Sequence, residues 1–368
     1  MSASHHKSLS MSGLVAYRIL IFFLAFLLGA IGICEIYSAS FRVGGDFASK
    51  QLFWFFIGIA VYFLAIWIGY RYFLDLSYLF YVLSIFMLIW VLVFGEARSG
   101  AQRWLTIGSL QIQPSEFCKI ATILMLANFL ASRSAQMAQK RSFFAAICFV
   151  GVPAVLVLKQ PDLGSALVLI PILFALVFFW GVKIRYLVTL FFGALATLPF
   201  LWHGLKPYQQ KRLLVFLDPS IDPIGASYTA IQSKIAVGSG GLFGKGWLQG
   251  TQTQLDFVPE HHTDFIFSVF AEEFGFLGAL FLILLFALLV TYAFQVMLHT
   301  TDSRARLLAL GIASYFSFQA VVNIAMTFGF APITGIPLPF ISYGGSSLVV
   351  NFFAFGILSS IYRERSIF

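Results

Sequence analysis

Long apolar runs alternate with short polar segments along the chain, and this alternation predicts its helices. A helix needs about 20 apolar residues to cross a bilayer, and the runs reach or approach that length ten times. We therefore predict an all-α polytopic membrane protein with about ten transmembrane helices in a single domain over residues 15–362. The predicted spans are roughly 15–37, 51–69, 76–95, 115–132, 143–158, 163–181, 184–202, 264–297, 305–329 and 343–362.

Lysine and arginine are distributed unevenly between the two sets of loops. The loops on one side, together with both tails, contain most of them, including Arg71, Arg133, Arg141, Arg185 and Arg306. Basic loops remain in the cytoplasm, so both termini are predicted to be cytoplasmic. Residues 1–14 are expected to form a disordered cytoplasmic tail, and residues 363–368 a short cytoplasmic tail. On this topology the long segment 203–263, between spans 7 and 8, is external.

Three external segments have distinct patterns. Tyr228 to Val237 alternates apolar and polar residues, as an interfacial helix does. The glycine cluster Gly238–Gly246 is interpreted as a turn in preference to a phosphate-binding nest, since no Walker spacing accompanies it. The Pro- and Gly-rich stretch Pro332–Ser347 is either a cavity wall or a tight re-entrant turn without chemistry.

Composition agrees with a membrane protein. Hydrophobic residues make up 60% of the 368, charged residues 10%, and the mean hydropathy is +0.91, which excludes a soluble domain. The net charge of +8 comes from loop residues that form no contiguous patch, so anionic membrane lipids explain it better than nucleic acid. The three cysteines lie in apolar segments and show no metal-ligand spacing.

Carboxylates mark the start of three predicted spans on the external side. These are Glu116, Asp162 and Asp264. An acid in the first helical turn is ordinary helix-start chemistry, worth about 0.3–1 kcal/mol through the helix dipole, and for Glu116 or Asp162 alone that interpretation is favoured. Lys119 lies one turn after Glu116 on the same face and needs a partner or a wet cavity within the membrane. Glu116 can be that partner, and so can Asp162 or Asp264 if the helices are adjacent.

Asp264 is the centre of this pattern because a polar segment passes there directly into a long apolar run. Ser268 and Glu272 continue the face of Asp264 at steps of four residues. Acids at that depth are costly and are functional candidates. Together these groups predict an externally open cavity of mixed charge, able to hold a sugar-phosphate headgroup, a divalent cation or a proton path.

A series of short motifs follows in order from the loop before the span at 115–132 to near the C-terminus. These motifs are Arg103–Trp104, Gln113–Glu116 with Lys119, Gln160–Gly164, Tyr208, Arg212, Asp218–Pro219, Ile231–Lys234, Gly246–Leu248, Gly250–Gln252, Pro259–Glu260, His262–Phe267, Glu272–Glu273, Asn323, Gly335, Pro337, Pro339 and Ser342–Ser346. No single motif is specific, but their number in one order is a strong signal. Together they resemble the SEDS (shape, elongation, division, sporulation) family, and more closely its rod-elongation (RodA) branch.

The resemblance implies a peptidoglycan glycosyltransferase of the bacterial cytoplasmic (inner) membrane, which polymerises lipid II together with a class B penicillin-binding protein. The essential aspartate of the family falls on Asp264, and Glu116, Lys119 and Asp162 match other cavity positions. The remaining candidate substrate or cavity residues are Arg103, Arg212, Glu272 and Ser342.

In the mechanism that these residues permit, Asp264 is the general base for an inverting glycosyl transfer. The leaving diphosphate needs counter-charge, for which the candidates are Arg103, Lys119 and Arg212. A divalent cation, Mg²⁺ or Mn²⁺, held near Glu116, Asp162 or Asp264 is another candidate. Two other functions stay open from the residues: a lipid II flippase, and a non-catalytic membrane scaffold for the penicillin-binding protein.

Overall fold

The structure, a computed structural model, describes residues 11–42, 44–98, 101–107, 110–133, 139–225, 227–255, 257 and 262–365. These residues form α-helices, one 3₁₀ turn and a small sheet. The helices are α1 (Met11–Ser40), α2 (Phe47–Ile68), α3 (Tyr70–Asp75), α4 (Ser77–Phe94), α5 (Pro114–Ala131), α6 (Gln139–Lys159), α7 (Leu163–Phe179), α8 (Ile184–Gly204), α9 (Pro207–Leu217), α10 (Tyr228–Ser239), α11 (Thr251–Gln254), α12 (Ile266–His299), α13 (Ser303–Thr327) and α14 (Gly345–Arg365). The strands are β1 (Glu96–Arg98), β2 (Ala101–Ile107) and β3 (Leu110–Ile112).

Within the described residues, eight helices are long and apolar enough to cross a bilayer, namely α1, α2, α4, α5, α6, α12, α13 and α14. The predicted polytopic helical fold is therefore confirmed. The sixth and seventh predicted spans correspond to α7 and α8, whose apolar stretches Leu163–Phe179 and Ile184–Ala196 are shorter. That these two helices also cross the bilayer stays a prediction.

One local feature was not predicted, and one prediction needs correction. In the loop before α5, β1, β2 and β3 form an antiparallel sheet in that order, with Leu105 opposite Ile112. The sequence carried the signal: apolar Leu105 and Ile107 alternate with Thr106, and Gly108–Ser109 precedes a second alternating run. At the N-terminus, α1 begins at Met11, so residues 11–14 are helical, while the rest of the predicted tail lies outside the described residues.

Both ends of the described chain lie on one face of the helix bundle. Tyr17 near the start of α1 stacks on Tyr362 near the end of α14, with ring centroids 5.7 Å apart. On the same face Arg71 forms an ion pair of 2.8 Å with Glu364. This agrees with the predicted cytoplasmic location of both termini. The opposite face, which the loop charges predict to be external, carries the sheet, α9 to α11, and the loop between α13 and α14.

Three helices form the centre of the bundle: α5, α13 and α14 have mostly buried side chains, whereas α2 and α4 expose large apolar side chains as lipid-facing helices do. Phe340, from the loop before α14, inserts among Phe316, Phe352 and Phe355 of the core. This external loop is consequently anchored in the core, and its position is determined by packing.

The long external segment contains the predicted interfacial helix, now α10, and the predicted glycine turn. The turn docks against a kink in α12 at Gly275, where Phe276 N donates to Gly241 O at 2.8 Å and Gly246 N donates to Glu273 O at 3.0 Å. The backbones of the turn and of α12 are in direct contact here, so side chains on some glycines of the turn would clash with α12. The prediction of a turn is confirmed.

Candidate functional site

Asp264 lies in the turn of residues 262–265 that leads into α12. Two other parts of the chain hold this turn. Asn323 of α13 donates from Nδ2 to Asp264 O at 2.9 Å, and Ser342 donates from Oγ to Thr263 O at 2.6 Å. The turn is thereby fixed at the outer end of the bundle, with Asp264 itself only partly buried. The predicted placement at the border of the membrane is consistent with this geometry.

The carboxylate of Asp264 lies beside the backbone of the loop before α14. A methyl group built on Gly335 would lie 3.6 Å from Asp264 Oδ2, and Gly335 has a φ of +73°. A side chain there would be both strained and in contact with the carboxylate. The backbone conformation therefore favours glycine beside Asp264, and the preceding residues Pro332, Ile333 and Thr334 line a cavity, so the loop forms a cavity wall, as one of the two interpretations of its sequence predicted.

A cavity adjoins the same loop at the residues just before Gly335. It is lined by Arg103 of β2, Tyr208 and Arg212 of α9, and Thr334. A second cavity, lined by Arg212, Lys234 and neighbouring residues, continues along the loop. Arg212 donates from NH1 to Ile333 O at 3.4 Å, which places its guanidinium at the junction of the two cavities. Three cationic side chains thus line cavities along the loop that passes Asp264 at Gly335.

Asp162 is a buried helix cap. Its Oδ1 accepts from Ser165 N at 3.1 Å, and its Oδ2 accepts from Gln113 Nε2 at 3.2 Å. Arg103 NH1 lies 3.9 Å from Asp162 Oδ1, and the same guanidinium donates to Gln160 O and Pro161 O. The interpretation of Asp162 as ordinary helix-start chemistry is confirmed. The Asp162 carboxylate also orients Arg103, which lines the first cavity.

Glu116 and Lys119 form the ion pair that their spacing predicts. Lys119 Nζ lies 2.7 Å from Glu116 Oε1, and both side chains are 1% exposed. The ammonium also lies 5.4 Å from the centroid of the Tyr315 ring. The expected exposure of Lys119 to an open cavity needs correction, since in this structure its charge is enclosed among α5 and α13.

The face that Asp264 was expected to share with Ser268 and Glu272 is covered by the external segment. Ser268 is hydrogen-bonded to Ser233 of α10 at 2.6 Å. Glu272 is fully buried and accepts from Lys245 Nζ at 2.6 Å and from Gln252 N at 3.0 Å. Glu272 therefore holds α11 against α12, and the periodicity argument was wrong in making it a cavity residue. Ser342 is also buried, as the anchor of the Asp264 turn.

Among the described residues, no three His, Cys, Asp or Glu side chains are grouped so as to hold a metal ion. Glu116, Asp162 and Asp264 accordingly do not form a shared metal cage in this part of the chain. His262 packs its ring against Phe47 at 4.8 Å, and His261 lies outside the described residues.

Sequence reasoning assigned no role to two residues that the structure places at the site. Asn323 is fully buried in the last turns of α13 and holds Asp264 O; its amide within an apolar membrane span was the available signal. Lys234 lines the second cavity from α10. Its signal was a basic side chain on the predicted interfacial helix.

Comparisons with known proteins agree with one another. The profile of the FTSW_RODA_SPOVE family, described as "Cell cycle protein", matches residues 18–367. The chain is 44% identical to peptidoglycan glycosyltransferase MrdB of Escherichia coli K12 over 77% of each chain. It is 34% identical to peptidoglycan glycosyltransferase RodA of Treponema pallidum, over 95% of this chain and 98% of the relative.

Solved structures show the same similarity. A chain from work titled "Structural coordination of polymerization and crosslinking by a peptidoglycan synthase complex" matches with a TM-score of 0.81 and 34% identity, over 94% of this chain and 97% of that one. The crystal structure of the rod shape determining protein RodA of Thermus thermophilus matches with a TM-score of 0.71 and 31% identity, over 94% of this chain and 96% of that one.

Proposed function

Because the chain belongs to the FtsW/RodA/SpoVE family of cell cycle proteins, we propose that it is a peptidoglycan glycosyltransferase that polymerises lipid II into glycan strands during cell elongation. The observation that carries the proposal is the 44% identity, over 77% of both chains, to a protein named peptidoglycan glycosyltransferase. The geometry supports it, since the partly buried Asp264 lies beside the loop at Gly335, and the preceding residues of that loop line cavities that contain Arg103, Arg212 and Lys234.

In the proposed reaction, Asp264 is the general base. It accepts the proton of the acceptor sugar's 4-hydroxyl while that oxygen attacks the anomeric carbon of the lipid-linked donor. The bond from the anomeric carbon to the diphosphate breaks, and its electron pair leaves with the diphosphate. The product is inverted, and no second carboxylate is needed because the leaving group departs as an anion, unlike in most glycosidases.

The leaving diphosphate is stabilised by cations. Arg103 and Arg212 line the same cavity and are the counter-charges that the geometry favours. Lys119 is a weaker candidate because Glu116 already neutralises it in a buried pair. A divalent cation, Mg²⁺ or Mn²⁺, would act as a further Lewis acid. Since the described residues contain no three-ligand group, substrate oxygens would have to supply part of its coordination, and Asp264 is the protein carboxylate that we propose as a ligand.

The setting of the enzyme follows from the fold. A multi-pass membrane protein with its site at the outer end of the bundle suits a substrate whose lipid stays in the bilayer while its headgroup reaches the external face. We propose the bacterial cytoplasmic membrane as the location and a class B penicillin-binding protein as the partner. The similarity to a chain from a peptidoglycan synthase complex supports the partnership.

The direct test is polymerisation of lipid II by the purified protein with its partner. Asp264→Asn is expected to lower the rate by about 10²–10⁴-fold, the usual cost of losing a general base. Asp222→Asn is the matched control, because Asp222 is an acid of the same external segment that pairs with Lys211 at 2.7 Å. Its rate is expected to stay near that of the wild type. A near-normal rate for Asp264→Asn would refute the role of the base.

The same preparation separates the alternatives. Transport of lipid II across vesicles without polymer formation would indicate a flippase. Unchanged complex formation and cell shape in Asp264→Asn would indicate a scaffold. Repeating the assay with a chelator, and with added Mg²⁺ or Mn²⁺, tests the cation: an unchanged rate after metal removal would contradict its participation.

A further inference from the structure

A further pocket, the arginine pocket, lies on the opposite side of the bundle from Asp264, at the face that carries both chain ends. It has a volume of about 310 Å³ and lies between the end of α5, the end of α7 and the start of α13. Its polar lining comes from Arg133, Trp180, Ser303 and Arg306. The charge distribution of the loops predicts that this face is cytoplasmic. The pocket is therefore separate from the proposed active site.

The two arginines in this pocket lack counter-charge. Arg133 lies over the ring of Phe129, and Arg306 lies over the ring of Phe179, each at 5.2 Å. Within the part of the chain that the structure describes, neither forms an ion pair with an acid, and the buried Nε of Arg306 has no hydrogen-bond partner. A buried guanidinium donor without an acceptor is costly, so this arrangement favours an anion.

Neighbouring charged residues on the same face are paired, in contrast to Arg133 and Arg306. Arg304 pairs with Asp75 at 2.9 Å. Asp302 caps α13 by accepting from Arg304 N at 2.9 Å, and its other oxygen accepts from the hydroxyl of Tyr70 at 3.1 Å. The acid closest in sequence to Arg306 is thus already engaged by other groups. The positive end of the α13 dipole adds to the potential at Ser303.

The pocket is amphipathic, and this feature points to the kind of anion. Trp180 donates from Nε1 to Arg133 O at 2.9 Å, so an interfacial tryptophan fixes the end of α5 at headgroup level. Phe179 and Leu307 supply apolar walls beside the arginines. A volume near the lower limit for ligand sites suits a headgroup better than a whole lipid.

We propose that this pocket binds the phosphodiester headgroup of an anionic phospholipid of the cytoplasmic leaflet. Arginine is suited to phosphate because its planar fork donates two parallel hydrogen bonds, and basic pockets between helices on the cytoplasmic side bind such headgroups in other membrane proteins. The bound lipid braces the inner ends of α5, α7 and α13. The outer parts of these helices carry Glu116, Asp162 and Asn323.

Lipid binding can be measured without any activity assay. Purified protein is titrated with phosphatidylglycerol or phosphatidylcholine in detergent, and retained lipids are counted by native mass spectrometry. The wild type is expected to retain one more phosphatidylglycerol than phosphatidylcholine. Arg133→Gln, at an exposed side chain whose loss does not threaten folding, is expected to weaken this binding about fivefold, which corresponds to about 1 kcal/mol per arginine.

The double variant Arg133→Gln/Arg306→Gln is expected to lose the extra lipid. Arg185→Gln is the control, because Arg185 is an exposed arginine of the same face whose guanidinium contacts Tyr186; its lipid retention should equal that of the wild type. Equal retention in all variants, or an equal loss in Arg185→Gln, would overturn the proposal. Displacement of the lipid by millimolar inorganic phosphate would likewise overturn it in favour of a site for soluble phosphate.

Discussion

Asn323 is the residue that connects the proposed base to the rest of the bundle. Its Nδ2 donates to Asp264 O at 2.9 Å and to Ile336 O at 2.8 Å. These carbonyls belong to the turn before α12 and to the loop before α14. A single buried amide therefore connects the backbone of the proposed base to the loop that lines the neighbouring cavity.

Replacing this amide tests its positioning role. Asn323→Ala is expected to slow polymerisation by about 10- to 100-fold, since small misplacements of a catalytic group are that costly. It also leaves two buried carbonyls unpaired, at about 1–3 kcal/mol each. Asn128→Ala is the matched control: Asn128 also donates twice from Nδ2, to Leu74 O and Ser77 Oγ at 3.0 Å, near the other end of the bundle.

Both variants are expected to lower the melting temperature by similar amounts, which is measured by thermal unfolding in detergent. Only Asn323→Ala should lower the polymerisation rate per folded molecule. If the two variants lost activity equally, the amide of Asn323 would have a general structural role and no special relation to Asp264.

The buried pair of Glu116 and Lys119 raises a different question, because it is either structural or catalytic. Lys119→Met leaves a buried carboxylate without its cation and is expected to cost about 3–5 kcal/mol of unfolding free energy. The double variant Glu116→Gln/Lys119→Met removes both charges and is expected to recover most of that loss. Unfolding in mixed micelles measures the free energy of unfolding of the single and the double variant. If polymerisation also recovers in the double variant, the pair is structural; a continued loss of activity in a stable protein would assign it to substrate binding.

At the scale of elements, the kink of α12 allows the external segment to dock. Gly275 has a φ of +69°, and a methyl group on it would lie 2.3 Å from Gly244 N. Neither the backbone conformation nor the space tolerates a side chain. The glycine turn closes over this kink, and Lys245 of the turn then reaches Glu272.

Gly275→Ala is consequently expected to undock the turn. The strained conformation alone costs about 1–3 kcal/mol, and the clash adds to it. Lower thermal stability and faster tryptic cleavage after Lys245 are the expected observations. Gly193→Ala is the control, because nothing lies within 4 Å of a methyl group at that position of α8. It should be neutral or stabilising by up to about 1 kcal/mol. Equal proteolysis of both variants would contradict the docking role.

At the scale of the whole molecule, the orientation in the membrane determines which face meets which compartment. The external assignment of the segment with α9 to α11 rests on the charge asymmetry of the loops. Ser220→Cys, in an exposed part of that segment, is expected to react with a membrane-impermeant maleimide on intact cells whose outer membrane has been permeabilised. Lys183→Cys, exposed on the other face, is expected to react only after the inner membrane is opened.

The native cysteines lie within helices α1, α5 and α6, and the unmodified protein measures their background labelling. Reversed accessibility would invert the topology. It would place Asp264 on the side where glycan polymerisation cannot occur, and it would move the arginine pocket to the external leaflet.

Particular elements show which structural features can be predicted from the sequence. The positions of the long apolar helices followed from the lengths of the apolar runs along the sequence, because a bilayer requires a minimum apolar length and saturated backbone hydrogen bonding. The helix-start role of Asp162 and the pairing of Glu116 with Lys119 followed from spacing within one helix. The prediction that Asp264 lies at the membrane border rests on a local change from polar to apolar residues. Each of these is a property of neighbours in sequence.

Only the tertiary structure decided which groups share a space. Periodicity placed Glu272 on the face of Asp264, but the external segment covers that face and engages Glu272 itself. The association of Arg103 with Arg212, of Asn323 with Asp264, and of Arg133 with Arg306 joins residues from different helices and loops. Helical periodicity specifies the direction of a side chain, whereas the neighbour that it meets depends on how long-range packing brings distant segments together.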